Sequence, residues 1–185
     1  MIIISKDFNS KGFSYCIRSA KESDARELSE LRVQIDGETE NLDRESGEGF
    51  IDEAGFGQLI AEDSNSLKNL FLVAETQGKI VGFSRCEGSV LKRLSHKVEF
   101  GICILLAYQG YGIGKHLLSE TVSWADSNDI EKISLLVLET NERAIRLYQK
   151  HGFEIEGILR KDKRLSDGNF YNTIVMGRLK GQTKI

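Results

Sequence analysis

The chain has 185 residues, 40% of them hydrophobic, and a formal net charge of −3 at pH 7. That length suits one domain with a full-sized core, and the weak negative charge offers no blanket attraction to nucleic acid or an anionic membrane. The apolar residues 1–4 are too short for a signal segment and are broken by Lys6 and Asp7, and no run approaches membrane-spanning length, so a cytoplasmic protein without nucleic-acid or membrane partners is expected.

Residues 14–18 read as a first strand, and 23–35 as a helix with Ala25, Leu28, Leu31, Arg32 and Ile35 on one side. The stretch 37–57 is acidic, glycine-bearing and without a clear period; Gly55 and Gly57 weaken any helix there, although Phe56, Leu59 and Ile60 could pack a short one. Strands over 70–75 and 79–86 flank Gln77-Gly78, a hairpin signal. An apolar strand over 98–106 leads through a glycine-rich turn into a helix over 112–127, where Leu117, Leu118, Val122 and Ala125 recur at helical spacing. A strand over 132–138, a helix over 141–151 and a hairpin with arms 153–160 and 170–179 follow, with Asp167-Gly168 near its turn. No repeat or linker is visible, so residues 1–185 are expected to form a single α/β (α+β) domain. Its sheet should be mixed and mostly antiparallel, with about seven strands flanked by about four helices. Cys16, Cys86 and Cys103 are odd in number and lack metal-ligand spacing, so reduced thiols, with no disulfide and no metal site, are expected; Cys103 reads as a small core residue.

The chemistry concentrates at Gln109-Gly110-Tyr111-Gly112-Ile113-Gly114-Lys115. A glycine-rich turn between a strand and a helix exposes backbone N–H groups at the positive end of the helix dipole, which suits phosphate. The dinucleotide fingerprint G-x-G-x-x-G fails, because its third glycine would fall on Lys115 or on Leu117. The nucleoside-triphosphate loop also fails: His116 follows Gly114-Lys115 where a Ser or Thr must hold magnesium, and the first glycine would fall on Gln109.

Gln109, Gly112 and Gly114 do fit Q-x-x-G-x-G. On these residues the chain resembles the GCN5-related N-acetyltransferase (GNAT) superfamily, whose acetyl-CoA loop reads Q/R-x-x-G-x-G/A. A second segment, from Asn141 through Ala144, Leu147, Tyr148, Lys150 and Gly152 to Phe153, matches that family's N-x-x-A-x-x-L-Y-x-K-x-G-F pattern at the expected distance. The resemblance covers residues 68–179, most of the chain. It implies a GNAT-like fold with acetyl-CoA (coenzyme A) as cofactor, an acetyl-CoA core over 68–179 and an acceptor side built from 14–67. It also implies that the backbone of Gln109, Gly110, Tyr111, Gly112, Ile113, Gly114 and Lys115 binds the CoA pyrophosphate. The backbone of Ile102 and Ile104 would pair with the pantetheine arm as an added strand does.

Acetyl transfer to an amine that is mostly protonated at neutral pH needs a base and a proton for the departing thiolate. Tyr148 reads on its helix as an interfacial core tyrosine; in the family the matching tyrosine is assigned the acid role, and a phenol remains a donor to about pH 10. Asn141 suits a helix N-cap, and its family counterpart also contacts CoA. Glu99 is the carboxylate inside the strand leading to the loop, where a charge among Val98, Phe100 and Ile102 serves either as a base of raised pKa or as a solvent-facing edge residue. His96 and a water chain are the other base candidates.

The acceptor is a primary amine, of a small molecule or a peptide N-terminus, attacking directly in a ternary complex; a homodimer stays open. The Glu154-x-Glu156-Gly157-x-x-Arg160 arm with Met176 looks like the branch of ribosomal-protein N-terminal, polyamine and amino-acid acetyltransferases, although that branch often has Asp where this chain has Asn172. The basic cluster Arg160, Lys161, Lys163 and Arg164 suits solvated surface or anion binding. The acidic set Asp36, Glu38, Glu40, Asp43, Glu45 and Glu48 suits a solvated loop or the entrance for a cationic amine. A non-catalytic acetyl-CoA-binding module and a nucleotide-binding regulator are the readings outside this enzyme class.

Overall fold

The computed structural model describes residues 2–181. In chain order its elements are β1 (Lys6–Ser10), β2 (Phe13–Ser19), α1 (Ala25–Glu38), α2 (Glu53–Asn65), β3 (Leu70–Thr76), β4 (Lys79–Gly88) and β5 (Lys97–Ile104). They continue with α3 (Ile113–Ser127), β6 (Lys132–Leu138), α4 (Glu142–Lys150), β7 (Glu154–Arg164) and β8 (Phe170–Leu179). The strands form one sheet in the order β1-β2-β3-β4-β5-β6-β8-β7, antiparallel throughout except for β5 against β6. Among the described residues no helix is long and apolar enough to cross a membrane.

The sheet therefore has eight strands, one more than expected, because residues 6–10 pair with β2 across a turn at Lys11 and Gly12, where φ is 53° and 75°. Helix α2 is longer than the short helix expected. Asp52 caps it, its Oδ1 accepting the Gly55 N–H at 2.8 Å, and Phe56 and Ile60 are buried, which outweighs the roughly 1 kcal/mol that each interior glycine costs. Strand β5 ends at Ile104 rather than at residue 106, and a 3-10 turn over Leu106–Tyr108 takes up the rest.

Two cores sandwich the sheet. Leu72, Val98, Ile133 and Met176 meet Leu117, Leu118 and Trp124 of α3, with Tyr148 of α4, on one face. On the other, Phe71, Val73 and Cys103 meet Leu28 and Ile35 of α1 and Phe56 and Ile60 of α2. Beneath α2, Asp63 is 1% exposed and takes Arg85 Nε at 2.6 Å, Arg85 Nη2 at 3.0 Å and Asn69 Nδ2 at 2.6 Å. Asp63→Ala leaves the Arg85 guanidinium with the solvent-exposed Glu87, 2.8 Å away, in place of a buried bidentate partner, and should cost about 3 kcal/mol. Thermal unfolding should then start about 6–12 °C lower; a parental midpoint would mean that Arg85 finds water instead.

One irregularity prepares the site. Strands β5 and β6 pair only at Lys97↔Lys132, Val98↔Ile133 and Glu99↔Ser134. Beyond these rungs they part, while β5 stays paired with β4 up to Ile104↔Gly82. The second half of β5 thus presents one unpaired backbone edge to the gap between the strands.

Candidate active site

A cleft of about 800 Å³ fills that gap and draws walls from both faces of the sheet. Ile102, Ile104, Leu147 and Tyr148 belong to the α3 and α4 side, and Phe83, Arg85, Glu87 and Glu99 to the α1 and α2 side. Of the residues singled out from sequence, Glu99, Ile102, Ile104, Gln109, Gly110, Gly112, Ile113, Gly114, Lys115, Asn141 and Tyr148 all line it.

The glycine turn sits where β5 hands over to α3. Gly110 and Gly112 have φ of 91° and 89°, a region costly for any other residue, and Gly112 is the residue before the first helical position. The first helical bond runs from the His116 N–H to the Gly112 carbonyl at 3.0 Å. Among the described residues none of the backbone N–H groups from Tyr111 to Lys115 donates to another protein group. These are the orphan donors of a helix start, the kind of site that suits an anion. A Cβ on Gly114 would come within 3.2 Å of Ile104 Cδ1, so loop and strand are packed closely enough that an added methyl would have to push that side chain aside.

Two side chains of this loop make contacts of their own. Tyr111 does not line the cleft: its ring packs on Phe13 with centroids 4.7 Å apart, leaving only its backbone for the seat. Gln109 lines the cleft, but its amide turns back to the Ile104 carbonyl at 3.4 Å. Sequence reading also missed three cations on α4 that line the cleft, Arg143, Arg146 and Lys150. Their spacing, three and then four residues, was the available signal, since it places them on one helical face.

Asn141 caps α4, its side chain accepting the Ala144 N–H at 3.2 Å while the residue lines the cleft. Tyr148 is 6% exposed and held edge-on by Phe100, with centroids 6.3 Å apart at 86°. Burial pushes its phenol well above the ordinary tyrosine range, with a further push from Cys103. The ring is buried, but the hydroxyl oxygen is not sealed: it opens on the cleft and has no hydrogen-bond partner among the described residues. Burial also pushes the Cys103 thiol up to about 12, which removes it as a thiolate nucleophile and agrees with a small core residue.

Glu99 is exposed, stands opposite Glu87 across the β4–β5 ladder and lines the cleft where β5 and β6 part. His96 is exposed in the turn before β5 and does not line the cleft; its carbonyl accepts the N–H groups of Glu131 and Lys132.

The acidic segment is not a free field for a cationic amine. Asp36 is buried against Arg44, with Nε to Oδ2 at 3.1 Å, and Glu38 accepts the Leu106 N–H at 2.7 Å. Glu40 accepts the Ser166 N–H at 2.8 Å, and Asp43 pairs with Lys163 of the basic cluster. These contacts strap residues 36–43 across the cleft mouth. Asn172 takes a structural place: it accepts the Lys161 N–H at 3.0 Å and donates to Glu139 at 2.9 Å, closing the bulge in β7.

The cleft thus brings together parted strands, the N–H groups at the start of α3 and the phenol of Tyr148. Residues 30–153 match the model of the acetyltransferase (GNAT) family, and the chain belongs to that family. It is an N-acetyltransferase, and acetyl-CoA is its co-substrate. It is 34% identical over 110 residues to the L-amino acid N-acetyltransferase AaaT of Escherichia coli, covering 59% of this chain and 67% of that protein. It is 31% identical over 121 residues to the ribosomal protein bS18-alanine N-acetyltransferase of Haemophilus influenzae, covering 65% of this chain and 78% of that protein. Among solved structures, a GNAT-family acetyltransferase from Streptococcus pneumoniae superposes with a TM-score of 0.86 at 29% identity, covering 90% of this chain and 99% of that one. The Salmonella typhimurium protein yncA, solved with acetyl-CoA, shares the fold with a TM-score of 0.79 at 19% identity, covering 91% and 95% of the two chains.

Proposed function

We propose that this protein moves the acetyl group of acetyl-CoA to the primary amine of an amino acid or a peptide N-terminus, by direct attack with both substrates in the cleft. The observation that carries this reading is the Tyr148 hydroxyl, which has no protein partner among the described residues and opens on the cleft that Glu99 and the glycine turn also line. A phenol so placed keeps its hydrogen free for a group bound in the cleft.

Acetyl-CoA supplies a thioester carbonyl and a thiolate leaving group. The N–H groups of Tyr111 to Lys115 hold its pyrophosphate, helped by Lys115 and the α4 cations, and the open edge of β5 at Ile102 and Ile104 orients the pantetheine amides. The Tyr148 hydroxyl donates to the sulfur as charge develops there. Glu99, across the split, takes the proton of the incoming amine directly or through a water. The acceptor half of the mouth carries both signs, with Arg44, Arg85 and Lys163 beside Glu87 and Glu99. That mixture suits a zwitterionic amino acid or a peptide N-terminus better than a polycation.

Two measurements test this. Thiol release over a panel of amino acids, N-terminal peptides, polyamines and aminoglycosides should favour the first two; a clear preference for spermine would overturn the acceptor assignment. Glu99→Gln keeps the shape and removes the basicity. Its rate at neutral pH should fall about 10- to 100-fold, at or below the lower end of what general bases supply, and recover partly at alkaline pH as free amine accumulates. A pH–rate profile like the parent's would leave Glu99 as surface.

A further inference from the structure

The N-terminal hairpin of β1 and β2 lies outside the residues that match the family model, yet it is built against the back of the glycine turn. Lys11, at the hairpin tip, donates from Nζ to the Gly110 carbonyl at 2.9 Å. Tyr15 donates its hydroxyl to the Tyr111 carbonyl at 3.4 Å, and the same oxygen lies 2.7 Å from His116 Nδ1. The Phe13 ring packs on Tyr111, and Phe8 stacks on His116 at 4.2 Å. Lys6 pairs with Glu120 one turn further along α3 at 2.7 Å. Lys11, Phe13 and Tyr15 thus touch the turn itself from behind, while Phe8 and Lys6 hold the hairpin to the first two turns of α3.

We infer that this hairpin is a positioning element for the seat, with Lys11 and Tyr15 fixing which way its peptide groups point. All peptide bonds in the described chain are trans, and a trans peptide carries its C=O and N–H on opposite sides. Holding the Gly110 carbonyl toward Lys11 turns the Tyr111 N–H away from the hairpin. Holding the Tyr111 carbonyl toward Tyr15 does the same for the Gly112 N–H. Gly110 and Gly112 are the residues least able to hold an orientation alone, because without a Cβ their flanking peptides rotate at little cost. A clamp on the carbonyl side pre-organises the donors, so less ordering remains to be done when the anion arrives. Lys11 and Tyr15 act through the backbone and are not catalytic residues.

This inference rests on the acetyl-CoA reading of the turn, and calorimetry on three ligands separates the two. The full-length parent, Lys11→Met, Lys11→Arg and the double variant Lys11→Met/Tyr15→Phe are titrated with acetyl-CoA and acetyl-dephospho-CoA. Acetyl-pantetheine, which lacks the pyrophosphate, is titrated by nuclear magnetic resonance. Lys11→Met should weaken both nucleotide ligands alike, about 3- to 10-fold, the worth of one exposed charged hydrogen bond. The double variant should lose more, Lys11→Arg should restore most of the affinity, and acetyl-pantetheine should bind all four proteins equally. Loss confined to acetyl-CoA would mean that Lys11 grips the terminal phosphate directly and would overturn the positioning role. So would unchanged affinities, or an equal loss for acetyl-pantetheine. A parent that binds acetyl-CoA no better than acetyl-pantetheine would instead remove the anion seat itself.

Discussion

Gly112→Asp is expected to lower acetyl-CoA affinity by about 100-fold or more while the protein still folds. Two costs add. The residue sits at φ 89°, where a side chain brings about 1 kcal/mol or more of strain, and its Cβ would come within 3.3 Å of Ser10 Oγ and 3.4 Å of the Tyr15 hydroxyl. The side chain would enter between the turn and the β1–β2 hairpin, prising apart the contact with Tyr15, and its negative charge at the start of α3 would oppose an arriving pyrophosphate. Gly112→Ala separates these effects, because it keeps the strain and contact without the charge; about a tenfold loss is expected. Calorimetry with acetyl-CoA on both variants, with thermal unfolding to confirm folding, decides the matter. An unchanged dissociation constant for folded Gly112→Asp would place the pyrophosphate elsewhere.

The glycine turn was legible in the sequence because positive φ at Gly110 and Gly112 leaves little choice of residue, so backbone geometry is written directly in residue type. The apolar strands were legible for a similar reason: Leu70 to Ala74 are buried on both faces, and burial of that kind demands an unbroken hydrophobic run. Strand β1 was not legible. Lys6, Asp7, Asn9 and Ser10 are polar because the strand lies at the sheet edge, and only Phe8 packs inward. The length of α2 was hidden too, since it depends on burying Phe56 and Ile60 against α1 and β3, a tertiary gain that no local propensity carries.

The site divides along the same line. Residues whose placement is set by local backbone, such as Gly112, Gly114 and the Asn141 cap, stand at the helix starts where the sequence put them. Residues whose role is set by a distant partner were not legible. Asp36 looked like one of six loose acids until Arg44 closed on it, and Glu38 until it met the Leu106 N–H. Tyr111 sits inside the motif, but a hairpin some hundred residues earlier in the chain claims its ring.

Tyr148→Phe is expected to cut kcat by about 10²-fold, the lower end of what general acids supply because a thiolate is already a fair leaving group. Binding of acetyl-CoA should hardly change. The substitution removes one hydroxyl that has no protein partner among the described residues, so no buried donor or acceptor is stranded, and the ring keeps its contacts with Phe100 and Phe153. A loss in kcat with unchanged affinity marks an interaction that strengthens only as charge develops on sulfur. The pH dependence adds a second test. Burial raises the phenol's pKa, so Tyr148 stays protonated through the alkaline range in which a free tyrosine would ionise near pH 10. The parent enzyme's kcat should therefore not fall as pH passes 10 for want of a donor, as long as the protein remains folded. Steady-state kinetics with the amine identified by the acceptor panel, run beside calorimetry for acetyl-CoA, reads both. An unaltered kcat in Tyr148→Phe would mean that this ring only packs and that water protonates the thiolate.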